Sequence, residues 1–130
     1  MDIFEQYATN ETKEVEGTWQ EVGDAKFLVA RSGNRNYTKK LIKLADRNKK
    51  ALDRKDDAAD KLSDSILIGV LAETILLGWE GVSFKGAPMD YSVENAKTLL
   101  GVKDFRKTVM ELADDFESFK AREESDQVKN

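Results

Sequence analysis

The chain contains no cysteine and no histidine, and a single proline. Without thiols there is neither a disulfide frame nor a sulfur nucleophile. Without imidazole the commonest general base and a principal zinc ligand are missing. Most familiar enzyme mechanisms are thereby removed. Long apolar runs are also scarce. The most apolar stretch, residues 66–77, is interrupted by Glu73 and Thr74, whereas a bilayer span needs roughly 20 apolar residues. It reads as a core segment, and membrane association is not expected. The opening Met1-Asp2-Ile3-Phe4-Glu5 has neither the basic region nor the apolar stretch of a signal peptide, so a cytosolic location is expected.

What is present is charge. Charged residues make up 35% of the 130 and apolar residues 40%, against roughly 25% charged in an average globular protein. Polar surface is therefore plentiful, and enough apolar area remains for one modest core. The net charge of −4 conceals an uneven distribution. Residues 35–55 hold nine basic and two acidic side chains, a local charge of +7, which leaves −11 on the rest. The first 24 positions carry seven acids against Lys13. Such asymmetry favours head-to-tail or heterotypic contacts between chains.

Residues 1–16 are polar and acidic, with Ile3, Phe4, Tyr7 and Val15 as apolar anchors, so a mobile or loosely docked N-terminal arm is expected. A single globular domain is expected over 17–121. It begins with Thr18-Trp19-Gln20-Glu21-Val22 and Lys26-Phe27-Leu28-Val29-Ala30-Arg31 around Gly23-Asp24-Ala25, a β-hairpin pattern. Trp19, Phe27 and Val29 should pack one of its faces onto helices, because a lone hairpin is marginal in water. Asn34 or Asn36 can cap a basic helix whose apolar positions are Tyr37, Leu41, Leu44, Ala45 and Leu52. A second helix starts among residues 56–60 and runs through Leu62, Ile66, Val70 and Leu77 as the central element, ended by Gly78-Trp79-Glu80-Gly81. Residues 82–90 read as a loop around Pro88. Ser92 then caps a short helix over 93–100. A last helix from about Asp104 places Phe105, Val109, Leu112, Phe116 and Phe119 on a heptad-like stripe. Residues 122–130 are wholly polar apart from Val128 and are expected to form a disordered tail. The fold class expected is mainly α: a small helical bundle of about four helices with a short N-terminal β-hairpin.

No constellation points to catalysis. Asp53, Asp57, Asp60 and Asp64 are spaced to share one face of a continuous helix and so to hold Mg²⁺ or Ca²⁺, but the turn glycine and terminal bidentate glutamate of an EF-hand are missing. A solvated helix surface is the better reading. Gly81-Val82-Ser83-Phe84-Lys85-Gly86 has the outer spacing of a phosphate-binding loop, yet Ala87-Pro88 stands where Lys-Ser/Thr must reach the phosphates and Mg²⁺. No cofactor is expected. The lysines and arginines of 35–55, Lys39, Lys40, Lys43 and Arg47 among them, can serve either as a docking face for an acidic partner or sibling subunit, or as phosphate contacts of a nucleic-acid-binding regulatory protein. The acidic overall balance and the lack of an interleaved aromatic stacking pair weigh against nucleic acid. Phe116 and Phe119 are further candidates for partner contact, since aromatic anchors dominate many interfaces.

The order of parts, a Trp hairpin leading into Phe27-Leu28-Val29-Ala30-Arg31, then Leu77-Gly78-Trp79-Glu80-Gly81-Val82, then Tyr91-Ser92-Val93-Glu94-Asn95-Ala96, with Leu99-Leu100 and Asp104-Phe105, resembles the tail assembly chaperones of long-tailed, non-contractile (lambda-like) bacteriophages from about Gly17 to Phe119. One departure is Asp90 before Tyr91, where similar sequences often have proline. The resemblance implies a non-enzymatic assembly factor in the host cytoplasm. It would bind and solubilise the tape measure protein, help recruit tail tube subunits, self-associate, and be absent from the finished virion. Such families are commonly made in two lengths by ribosomal frameshifting. They carry no catalytic motif, so no active-site residue is implied.

Overall fold

A computed structural model describes residues 1–121; the polar tail expected at 122–130 lies outside the described residues. The N-terminal arm forms two short helices, α1 (Ile3–Tyr7) and α2 (Glu11–Glu16), capped by the Asp2 and Asn10 side chains, which accept from the backbone N–H groups of Glu5 and Lys13. Backbone hydrogen bonds tie this arm to the rest. Asn10 N–H donates to the Phe119 carbonyl at 2.9 Å, Ala121 N–H to Ala8 at 3.0 Å and Arg31 N–H to Glu14 at 2.8 Å. The segment after Asn10 is thus docked, whereas α1 buries none of its residues.

The hairpin expected from the sequence is present as β1 (Thr18–Val22) and β2 (Ala25–Val29), with Val22 opposite Ala25 across a two-residue turn. Gly23 occupies its first central position at φ 62°, the conformation a type II′ turn requires and a side chain disfavours. After Ser32-Gly33, the helices α3 (Arg35–Arg47) and α4 (Lys49–Leu52) follow, separated at Asn48 where one continuous helix was expected. Asn34 starts α3. Its Oδ1 accepts from the N–H groups of Asn36 and Tyr37, and its Nδ2 donates to the carbonyls of Arg31 at 2.8 Å and Thr74 at 3.4 Å. A buried amide with both ends engaged fixes where the hairpin hands over to the helices.

The expected fold class, a mainly α bundle with strands confined to an N-terminal hairpin, is incorrect. Among the described residues there are seven α-helices, a 3₁₀ turn and five strands, and the class is mixed α and β. The central helix α5 (Asp57–Thr74), capped by Asp56, stops before Leu77. The chain turns at Ile75 and continues as strand β3 (Leu76–Glu80), antiparallel to β2, giving a sheet of order β1-β2-β3. A short apolar run cannot be assigned to helix or strand by periodicity alone. Here the open edge of β2 decides, because a third strand satisfies its backbone groups and makes the sheet viable. Gly81, at φ 76°, therefore ends a strand, not a helix.

The loop expected at 82–90 also folds back on itself. Strands β4 (Ser83–Phe84) and β5 (Ala87–Pro88) pair across Lys85-Gly86, both at positive φ (51° and 85°) as in a type I′ turn. Two helices follow: α6 (Val93–Leu100), capped by Ser92 as expected, and α7 (Lys103–Ala113). The heptad-like stripe does not continue on one helix. α7 ends at Ala113, and Phe116 and Phe119 lie in a 3₁₀ turn, Phe116–Phe119, begun by Asp115.

One core unites the layers. Phe27, Val29 and Trp79 from the sheet meet Leu71, Leu99, Leu100 and Val109 from the helices and Ile75 from the turn between α5 and β3. Trp19, expected in that core, is instead half exposed on the other face of the sheet, with its ring lying over Gly78. Strand alternation explains this, since Trp19 pairs with Leu28 and so points opposite to Phe27. Helices α3 and α4 lie along α5.

Candidate partner-binding surfaces

The residues that carry the resemblance converge on one cluster. Trp79 donates its indole N–H to the Met89 carbonyl at 2.7 Å, and Tyr91 donates its hydroxyl to the Leu76 carbonyl at 2.8 Å. The two rings meet edge to face, and Phe27 packs edgewise on Trp79. Asn95 Nδ2 reaches back to the Asp90 carbonyl at 2.8 Å, while its N–H is capped by Ser92. Burial raises the Tyr91 hydroxyl above its ordinary pKa. Each polar group in this cluster is engaged in holding β3, the 82–90 segment and α6 together. Its work is architectural.

The basic residues split between two environments. Lys39, Lys43 and Arg47, four residues apart on α3, are exposed and have no ion pair among the described residues. Lys40 is turned toward α5, where it pairs with Glu73 at 3.2 Å. Exposed pairs of that kind contribute about 0–1 kcal/mol, so Lys40 is a packing contact more than a docking group. Arg35 pairs with Glu11 of the arm. Ile42, 55% exposed, sits among the free cations. Its sequence signal was legible: it falls out of phase with the buried-side positions Tyr37, Leu41, Leu44 and Ala45.

The two phenylalanines proposed for partner contact have different surroundings. Phe119 is fully enclosed, with the Arg31 guanidinium 5.4 Å above its ring, and so presents no surface. Burial follows from its register: its carbonyl accepts from Asn10, which draws the 3₁₀ turn against the arm. Phe116 is half-buried beneath Tyr7, ring centroids 5.7 Å apart. Beyond this contact the arm carries an exposed apolar row, Ile3, Phe4 and Tyr7, on one side of α1.

A second apolar feature is a groove of about 360 Å³ between the hairpin end, β4 and the α6–α7 junction, lined by Val22, Ala25, Phe27, Phe84, Val102 and Phe105 among others. Periodicity could not expose it, because it is assembled from five separate elements, β1, β2, β4, α6 and α7. The aspartates at 53, 57, 60 and 64 do not form one ladder. Asp53 precedes a reversal at Lys55, where φ is 54°, so it lies outside α5. Among the described residues no group of three or more acidic side chains is placed to hold a metal ion, and no helix is long and apolar enough to cross a membrane.

Comparison with curated proteins and with solved structures gives no significant match. Residues 32–130, which include α3 through the 3₁₀ turn and so the whole Trp79–Tyr91 cluster, match the model of a family described as YdaY prophage protein. The chain is a bacteriophage-related protein and belongs to the YdaY prophage protein family.

Proposed function

We propose that the chain is a tail assembly chaperone: a non-enzymatic factor that binds and solubilises the tape measure protein in the host cytoplasm, helps recruit tail tube subunits and self-associates. One observation carries the reading. Gly78–Val82 and Tyr91–Ala96, the segments in which the chain resembles such chaperones, form one interlocked unit inside the stretch matched by a phage family. The surfaces suit the task. A partner as long as a tape measure protein is held by many weak contacts that add through effective concentration, and exposed lysines, an exposed apolar arm and a shallow apolar groove are contacts of that kind.

The test is co-expression with the tape measure protein of the same phage. The reading expects that partner to move from the pellet to the soluble fraction when this chain is present. Equal precipitation with and without the chain would refute it.

A further inference from the structure

We infer that the N-terminal arm of one copy docks on the exposed face of α3 of a second copy, Phe4 and Ile3 against Ile42, and Glu5 beside Lys39 and Lys43. The inference deepens the self-association included in the reading above, and it stands on three features of the free chain.

First, most of the apolar row on α1 is uncovered among the described residues. Ile3 and Phe4 are 62% and 79% exposed, and the helix buries none of its residues. Among the described residues Tyr7 alone of this row has an aromatic partner, Phe116. An apolar row left in water costs solubility unless something covers it. Second, α3 displays an isolated apolar side chain, Ile42, flanked by Lys39 and Lys43, which no acidic group of the described residues engages. Third, the signs are opposite. Residues 1–16 carry five acids and one lysine, while 35–55 carry a net +7. Asp46, an acid on α3 exposed near its C-terminal end, sets a polarity, so the acidic arm belongs at the Lys39–Lys43 end.

The two surfaces are different patches of one molecule, so the contact is heterologous. Each copy then retains a free arm and a free face, and assembly proceeds to a ring or an open chain instead of stopping at a symmetric pair. A scaffold that must line a long partner needs that geometry.

The experiment is light scattering on the purified full chain at rising concentration, with two variants at exposed positions, Phe4→Ser in the arm and Ile42→Asp on the face, each checked for native circular dichroism. Wild type should exceed the 14.7 kDa of one chain and fall back toward it as salt is raised. Each variant alone should be monomeric or a small fraction assembled. An equal mixture should give a discrete species of twice the monomer mass, because the intact arm of the Ile42→Asp chain meets the intact face of the Phe4→Ser chain and nothing can extend. Lys39→Glu should likewise dissociate the assembly, and adding Glu5→Lys to the same chain should restore it. A wild type monomeric at all concentrations, variants that assemble as wild type does, or a mixture that stays monomeric would each overturn the inference. So would a monomeric chain that binds a duplex oligonucleotide through Lys39 and Lys43, which would assign the basic face to nucleic acid. A monomer that still keeps the tape measure protein soluble would overturn this interface and leave the chaperone reading standing.

Discussion

The rings of Trp79 and Tyr91 stand edge to face, centroids 5.0 Å apart at 79°, and each donates a hydrogen bond to a backbone carbonyl near the other's segment: Trp79 to Met89, Tyr91 to Leu76. This crossed pair pins strand β3 to the 82–90 segment that leads into α6. β3 in turn completes the sheet against which the helices pack.

Replacing Trp79, which is 7% exposed, with alanine should therefore cost about 3–5 kcal/mol. Chemical denaturation monitored by far-ultraviolet circular dichroism measures it. A loss below about 1 kcal/mol would mean that the ring is not buried in solution.

Tyr91 makes stability fall at high pH. Burial holds its hydroxyl protonated above the ordinary tyrosine value of about 10, so the folded chain retains a proton that the unfolded chain releases. The stabilisation is complete below that value and is lost as pH rises through the raised pKa of the folded state. In the alkaline window above the ordinary tyrosine value of about 10, the melting temperature should fall more steeply with pH in wild type than in Tyr91→Phe. Parallel curves would contradict the assignment. Below that window Tyr91→Phe should itself cost about 1 kcal/mol, since the Leu76 carbonyl loses its side-chain donor.

Asn34 joins the hairpin, α3 and the end of α5 through four hydrogen bonds of one buried side chain. Asn34→Ala removes the helix cap, about 1 kcal/mol, and weakens two carbonyl contacts at a buried junction. A total loss of about 2 kcal/mol is expected in denaturant titration. Asn34→Asp keeps the capping oxygen but turns a carboxylate oxygen onto the Arg31 and Thr74 carbonyls at a buried site, and so should cost at least as much as Asn34→Ala.

Much of this architecture was legible in the sequence, and the failures have physical causes. The Gly23 turn, the Asn34 and Ser92 caps and the acidic start of α5 announce themselves because capping and turn chemistry are local. Strand β3 does not, because Ile75-Leu76-Leu77 satisfies a helix as well as a strand, and the choice is made by the unpaired edge of β2, nearly fifty residues earlier in the chain. The exposed side of Trp19 is hidden from the sequence for a related reason: an aromatic in a hairpin identifies the strand but not which face is covered. Phe119 looked like the end of an amphipathic helix, whereas a backbone hydrogen bond from Asn10 draws it inside. The basic stretch was readable, but the turn of Lys40 toward Glu73 was not, because it depends on how α3 is laid along α5. The apolar groove beside Phe84 and Val102, built by tertiary packing, was not readable either.

The most direct test of the whole account is the composition of the complex formed when the chain and the tape measure protein are co-expressed and purified, read by analytical ultracentrifugation. The account predicts one soluble species in which several copies of this chain accompany each tape measure chain. Its contradiction is a chain that sediments alone while the tape measure protein stays in the pellet.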